Sequence, residues 1–255
     1  METINIYFFK DMGVMFGRSM RHIFRSLDTI MTVTISPIAI MLLFVFVLGG
    51  AIQIGTDNYI NYLLPGILLM TIANGIGYVS YRLLLDKQRG IFERFHSMPI
   101  ARSAGLWGHV LVSLVSNAIS VTVIILIAFI MGFRSPAGVL PWLAVIGILG
   151  LFTLSMTWIA VIAGLSAKSA DSAGAFAFVI HLLPFISSAF VPTNTMPKVV
   201  RIFAENQPVT SIVDAMRALL NNQPVGNDIW VALVWCIGIM IVAYIFAMRI
   251  YKNRG

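Results

Sequence analysis

The chain has 255 residues, 59% of them hydrophobic and only 11% charged, with a mean hydropathy of +0.91 and a net charge of +7. A soluble domain carries about 25% charged residues to face water, so this composition excludes a cytosolic enzyme and a disordered tail, and the single cysteine, Cys236, excludes a disulfide scaffold. Net positive charge would suggest nucleic acid in a soluble chain, but in a chain this apolar it fits the basic cytoplasmic loops of a polytopic membrane protein.

Residues 4–27 read as an amphipathic helix. At about 100° per residue, Ile4, Phe8, Met12, Met15, Phe16, Met20, Ile23 and Leu27 share one side, and Lys10, Arg18, Arg21 and Arg25 share the other. Such a helix ahead of a first span is expected to lie in the cytoplasmic interface, with Arg18, Arg21 and Arg25 toward headgroups or a partner. A solvated juxtamembrane helix without a partner is the alternative. Charge-free runs then mark the spans, because a bilayer core is crossed by about 20 helical residues. Thr29 to Thr56 is expected to be span one, bent by Pro37 and too long for the apolar core of a cleavable signal peptide. Asn58 to Tyr81 gives span two, Ser103 to Phe133 span three, Ser135 to Ala167 span four and Ser172 to Pro197 span five.

Between Pro192 and Asp228 the pattern changes. Val199, Ile202 and Phe203, then Ile212, Val213, Met216, Leu219 and Leu220, recur at helical spacing, and Pro197, Pro208 and Pro224 cut the stretch into two short helices. A segment so apolar is expected to dip into the outer leaflet or cap a dimer. Ile229 to Met248 supplies span six. The expected fold class is therefore an all-α polytopic membrane protein. It comprises the interfacial helix (1–28), spans one to five (29–191), the outer helical hairpin (192–228), and span six with its tail (229–255).

An even number of spans puts both termini on one side. Of the 17 lysines and arginines only Arg134, Lys198, Arg201 and Arg217 fall on the opposite side, so the positive-inside rule places both termini in the cytoplasm.

Enzymatic signatures are missing from the sequence. There is no G-x-x-x-x-G-K-[ST] phosphate loop, no H-E-x-x-H, no G-x-S-x-G and no Cys/His spacing for zinc. Every Asp and Glu lies outside the uncharged runs, which removes the intramembrane carboxylate that an ion-coupled carrier usually keeps. His109 and His181 are the histidines within the spans, and a lone histidine there is more often bonded to a neighbour than a proton relay. Energy for pumping is expected to enter from outside the chain.

The stretch between spans two and three, Asp86 to Arg102, is dense in charge yet keeps Ile91, Phe92 and Phe95 at helical spacing until Pro99 stops the short helix. By periodicity alone, a docking knob and an ordinary charged loop are equally supported. The sequence Arg89-Gly90-Ile91-Phe92-Glu93-Arg94-Phe95-His96-Ser97-Met98-Pro99-Ile100-Ala101-Arg102 resembles the cytoplasmic loop of the permease subunits of type-2 ABC exporters, especially the daunorubicin-resistance branch. That family's loop runs approximately Arg-x-x-Gly-Thr-x-Glu-x-Leu-x-x-x-Pro-[IV]-x-Arg. Tyr62-Leu63-Leu64-Pro65-Gly66 is similar to the family's start of span two. Pro192 to Pro197, Asn206-Gln207-Pro208 and Asp214-Ala215-Met216-Arg217 are similar to its span-five hairpin. The departures are Ile91-Phe92 where the threonine usually falls, and Phe95 in place of leucine.

The resemblance covers nearly the whole chain and implies the rest of the machine. Two permeases, identical or sister chains, would assemble with two cytoplasmic ABC ATPase subunits in a bacterial cell membrane. This chain would bind no cofactor, with ATP and Mg on the partner. Arg89, Gly90, Ile91, Phe92, Glu93, Arg94, Phe95, Pro99 and Arg102 would couple to the ATPase, together with the amino-terminal helix. Spans two and five would line the path, with Asn74, Tyr78, Phe178, His181, Phe185 and Ser188 as candidate lining groups; ordinary helix packing explains each equally well. Ala170, Ala173, Gly174 and Ala177 suit close helix packing near the start of span five. An uncharged path with aromatic and methionine side chains favours amphipathic or apolar cargo such as antibiotics or toxic lipids. Polysaccharide or teichoic-acid export is the alternative within the family, and an ion-coupled carrier or passive channel the alternative of another class.

Overall fold

The computed structural model describes residues 17, 27–49, 59–91 and 104–252, and among them every regular element is helical. In chain order these are α1 (Leu27–Leu42), a π-helical turn (Leu43–Leu48), α2 (Tyr59–Gln88), α3 (Ala104–Ile130), α4 (Val139–Ser166), α5 (Ala170–Leu182) with a 3₁₀ turn (Leu183–Ile186), a second 3₁₀ turn (Thr193–Thr195), α6 (Lys198–Asn206), α7 (Pro208–Leu220) and α8 (Asp228–Lys252). The amino-terminal amphipathic helix and residues 92–103 lie outside the described residues, so Arg18, Arg21, Arg25, Phe92, Glu93, Arg94, Phe95, Pro99 and Arg102 do too.

Four of these helices, α2, α3, α4 and α8, are long and apolar enough to cross a bilayer; Thr34–Val47 and Ala170–Ile186 are shorter apolar helical segments. The boundary at Arg82 expected for span two does not end the helix. α2 has 30 residues, about 45 Å at 1.5 Å per residue, against a hydrocarbon core of about 30 Å. Its last turns therefore carry Arg82, Asp86 and Lys87 past the apolar layer without breaking. The helix in the charge-free run expected to form span five is shorter than that run. Pro184 lacks an amide donor and clashes with the preceding turn, so α5 gives way to the 3₁₀ turn and then to irregular backbone.

α2 is the centre of the molecule. Ile60, Leu63, Leu64, Ile67, Leu68, Leu69, Met70, Ile72 and Ile76 are all essentially inaccessible, with α1, α3, α4, α5 and α7 packed around them. It is the least apolar of the four long helices and the most buried, whereas α8 is the most apolar and the least buried. The inversion follows from the solvent. Lipid tails are as apolar as leucine, so hydropathy marks the lipid-facing helix, while the central one can carry polar groups that bond its neighbours. Around it, polar side chains also bond between the other helices: Thr34 Oγ1 donates to Ser120 Oγ (3.3 Å), Ser113 Oγ and Thr157 Oγ1 share a hydrogen at 3.0 Å, and Ser155 Oγ donates to the Cys236 carbonyl (2.7 Å).

The hairpin forms two short helices, as expected. Pro208 opens α7, where its missing amide costs nothing. α7 buries Val209, Ile212, Val213, Met216 and Leu220 against the bundle. α6 leaves Val199, Ile202 and Phe203 exposed.

Candidate functional site

Tyr59 and Tyr62 stand one turn apart at the start of α2, their rings stacked at 6.4 Å and 11°. Both hydroxyls point at the irregular backbone that follows α5. Tyr59 donates to the Phe190 carbonyl (3.2 Å) and Tyr62 to the Ser188 carbonyl (2.9 Å). Residues 187–190 are buried, so their non-helical backbone must find partners within the protein. Ser187 Oγ donates to the Pro184 carbonyl (2.6 Å) and accepts from the Ala189 amide (3.1 Å). Gln207 Nε2 donates to the carbonyls of Ile186 and, at 3.3 Å, of Leu183.

Arg217 closes this joint from α7. Its Nη2 donates to the Ser188 carbonyl (2.7 Å), its Nη1 to Asp214 Oδ1 (2.6 Å) and its Nε to the Tyr62 carbonyl (3.3 Å), while its guanidinium carbon lies 3.7 Å from the centre of the Tyr62 ring. Ser188 Oγ also donates to Asp214 Oδ1, at 2.7 Å. Burial pushes the Asp214 carboxyl above its ordinary range, against the opposing pull of Arg217 and the Ser188 hydroxyl. Close packing completes the joint. A Cβ added to Gly66 would sit 2.6 Å from the Ala189 Cβ, so only glycine lets α2 approach this backbone.

From the joint a file of rings leads into α5. Phe44 of the π-helical turn lies 4.8 Å from Phe190, Phe190 stacks on Phe185 at 4.9 Å and 12°, and Phe185 lies 6.0 Å from the His181 ring. His181 Nδ1 is buried and meets no hydrogen-bonding partner among the described residues. Phe178, one turn further, is 61% exposed.

Of the candidate lining residues, the structure thus joins His181, Phe185 and Ser188 in one continuous segment. Ser188 is buried, with its hydroxyl spent on Asp214. Asn74 and Tyr78 are half-buried on α2, and Tyr78 accepts from Arg82 Nη1 at 3.4 Å. Of the small residues near the start of α5, Ala173 is buried beside Leu84 and Ala167, whereas Ala170 and Gly174 are exposed. The described part of the coupling stretch is its beginning. Arg89 and Gly90 form a turn after α2, with Gly90 at φ +65°, and Ile91 is half-buried. Sequence reasoning quoted Tyr62 and the Asp214–Arg217 segment as separate motifs and did not link them.

Residues 10–221, which contain both halves of the joint, match the family described as ABC-2 type transporter. The chain belongs to that family. This ABC-2 protein is 25% identical over 224 residues to the daunorubicin resistance ABC transporter permease protein DrrB1 of Streptomyces coeruleorubidus, covering 88% of this chain and 79% of that one. It is 27% identical over 222 residues to the probable doxorubicin resistance ABC transporter permease protein DrrC of Mycobacterium tuberculosis, covering 86% and 79%. An ABC-2 membrane permease is a transport component, and its long apolar helices agree with that.

Proposed function

We propose that the chain is the membrane-spanning subunit of an ATP-driven exporter of amphipathic or hydrophobic compounds, antibiotics among them, as the daunorubicin and doxorubicin resistance of its relatives suggests. It crosses the membrane six times, counting the segment of α1 with its π turn and that of α5 with its 3₁₀ turn as spans one and five, with both termini in the cytoplasm. Two permeases, identical or sister chains, assemble with two ATPase subunits that carry ATP and Mg. The loop from Arg89 to Arg102, with Glu93 and Phe92 at its centre, and the helix bearing Arg18, Arg21 and Arg25 dock on those subunits. The path runs along α2 and α5.

The observation that carries this reading is the file of Phe178 and His181 on α5 and Phe185 on the 3₁₀ turn that follows it. It offers flat apolar faces, its buried His181 Nδ1 has no hydrogen-bonding partner among the described residues, and the charge-free run from Ser172 to Pro197 holds no carboxylate to bind a coupling ion. The test is drug efflux from cells carrying the permease with its ATPase. Export stops when the ATPase is inactivated and continues when a protonophore collapses the proton gradient at constant ATP. Phe185→Ala weakens the apparent affinity for planar aromatic cargo by about fivefold, the worth of one aromatic pair. Export that fails with the proton gradient would replace this reading with an ion-coupled carrier.

A further inference from the structure

α2 ends in a tip tied to two other parts of the molecule. Lys87, in its last turn, donates through Nζ to the carbonyls of Leu165 and Ala167, each at 2.9 Å. These belong to the end of α4 and the turn leading into α5. The last four carbonyls of a helix lack partners within it and carry partial negative charge, so a lysine there is favoured electrostatically. Leu84, Ala167 and Ala173 pack together beside this contact and bring α5 into it. One residue earlier, Asp86 Oδ2 lies 3.0 Å from His109 Nε2, in the second turn of α3. The chain then leaves α2 through the Gly90 N–H to Lys87 carbonyl bond (3.1 Å) at positive φ and re-enters helix at Ala104. The end of α2 and the second turn of α3 are therefore clamped together at one base.

Leu165 and Ala167 are both buried, so their carbonyls are paired within the protein rather than left to solvent, and the side chain that reaches them comes from 78 residues away in sequence. What it adds is a mechanical tie. We propose that Lys87 is a positioning residue for transport: it staples the end of α2 to the α4–α5 turn, so that displacement of that end moves α5, the helix bearing His181, and with it the 3₁₀ turn bearing Phe185. Asp86 and His109 hold the start of α3 to the same base. The proposal rests on the reading that the loop engages an ATPase.

The test uses the permease with its ATPase in proteoliposomes, measuring ATP turnover and cargo exported per ATP. Lys87→Met should lower export per ATP roughly tenfold, a factor that corresponds to about 1.4 kcal/mol and to one charge-assisted hydrogen bond, with ATPase capture in pull-down unchanged. Lys87→Arg, which can still reach two carbonyls, should stay within about twofold of the parent. In the permease alone, Lys87→Met should speed hydrogen exchange at the amides of 167–173, a readout that holds whatever the cargo. Parental export per ATP in Lys87→Met, an equal loss in Lys87→Arg, or unchanged exchange at 167–173 each overturns the staple. Failure of the exporter reading shows elsewhere, as a parent complex that exports nothing on ATP.

Discussion

At Arg217 a single planar fork serves α2, α7 and the backbone beyond α5. Lysine carries the same charge but is a point donor, without the face that lies on the Tyr62 ring or the geometry for several fixed bonds. Arg217→Lys is therefore expected to destabilise the protein by about 2 kcal/mol, from lost charge-assisted bonds in a half-buried setting. Tyr62→Phe, which leaves the Ser188 carbonyl still bonded by Arg217, should cost about 1 kcal/mol. Thermal midpoints in detergent check both, and an Arg217→Lys midpoint equal to the parent's would demote the joint to surface decoration. None of this was legible in the sequence. Arg217 and Tyr62 are 155 residues apart, and each looked like a local motif because the signals available, periodicity and punctuation, act over a few turns. A pair of tyrosines at helical spacing opening one span and an Asp-x-x-Arg in the hairpin were the visible halves.

The elements themselves were far more legible, since hydrocarbon imposes length and apolarity directly on the chain. The sequence ruler erred where a helix outruns the membrane, as α2 does past Arg82, and where a proline ends one inside an apolar run, as Pro184 does. α6 illustrates a third kind of control. Arg201 Nε donates to Glu205 Oε1 (2.7 Å) and Thr193 Oγ1 donates to the same oxygen (3.2 Å), tying the second 3₁₀ turn to the helix. The bond from Arg201, and to a lesser degree that from Thr193, holds the Glu205 carboxyl below its ordinary range. A depressed folded-state pKa means that the contribution is in place above the ordinary carboxylate range and is lost as pH falls through the folded value. Hydrogen-exchange protection of residues 193–206, corrected for intrinsic rates, should drop as pH falls below the ordinary glutamate range and do so less at high salt. In Glu205→Gln that acid step should vanish; a step that survives belongs to another group.

For the whole molecule, sidedness decides which end of α2 meets the ATPase. The distribution of basic residues predicts that a cysteine at Gln223 is labelled from outside intact cells and one at Lys168 only after permeabilisation. Both sites are exposed, and the single native cysteine, Cys236, is buried, so a Cys236→Ser background is quiet. Outside labelling at Lys168 would invert the molecule. In the folded protein α2 is pinned near one end by Tyr62 and Arg217 and near the other by Lys87 and Asp86. The same helix has the weakest hydropathy of the four long ones, and this bears on how the protein is made. On the ribosome α2 reaches the translocon before α3, α4 and α5, the helices that will cover its polar groups, exist. A segment of marginal insertion energy partitions poorly alone. Its residence in the bilayer is then secured after the fact, by the arrival of later helices, so truncation within α3 or α4 should strand α2 at the membrane surface rather than leave a shorter bundle.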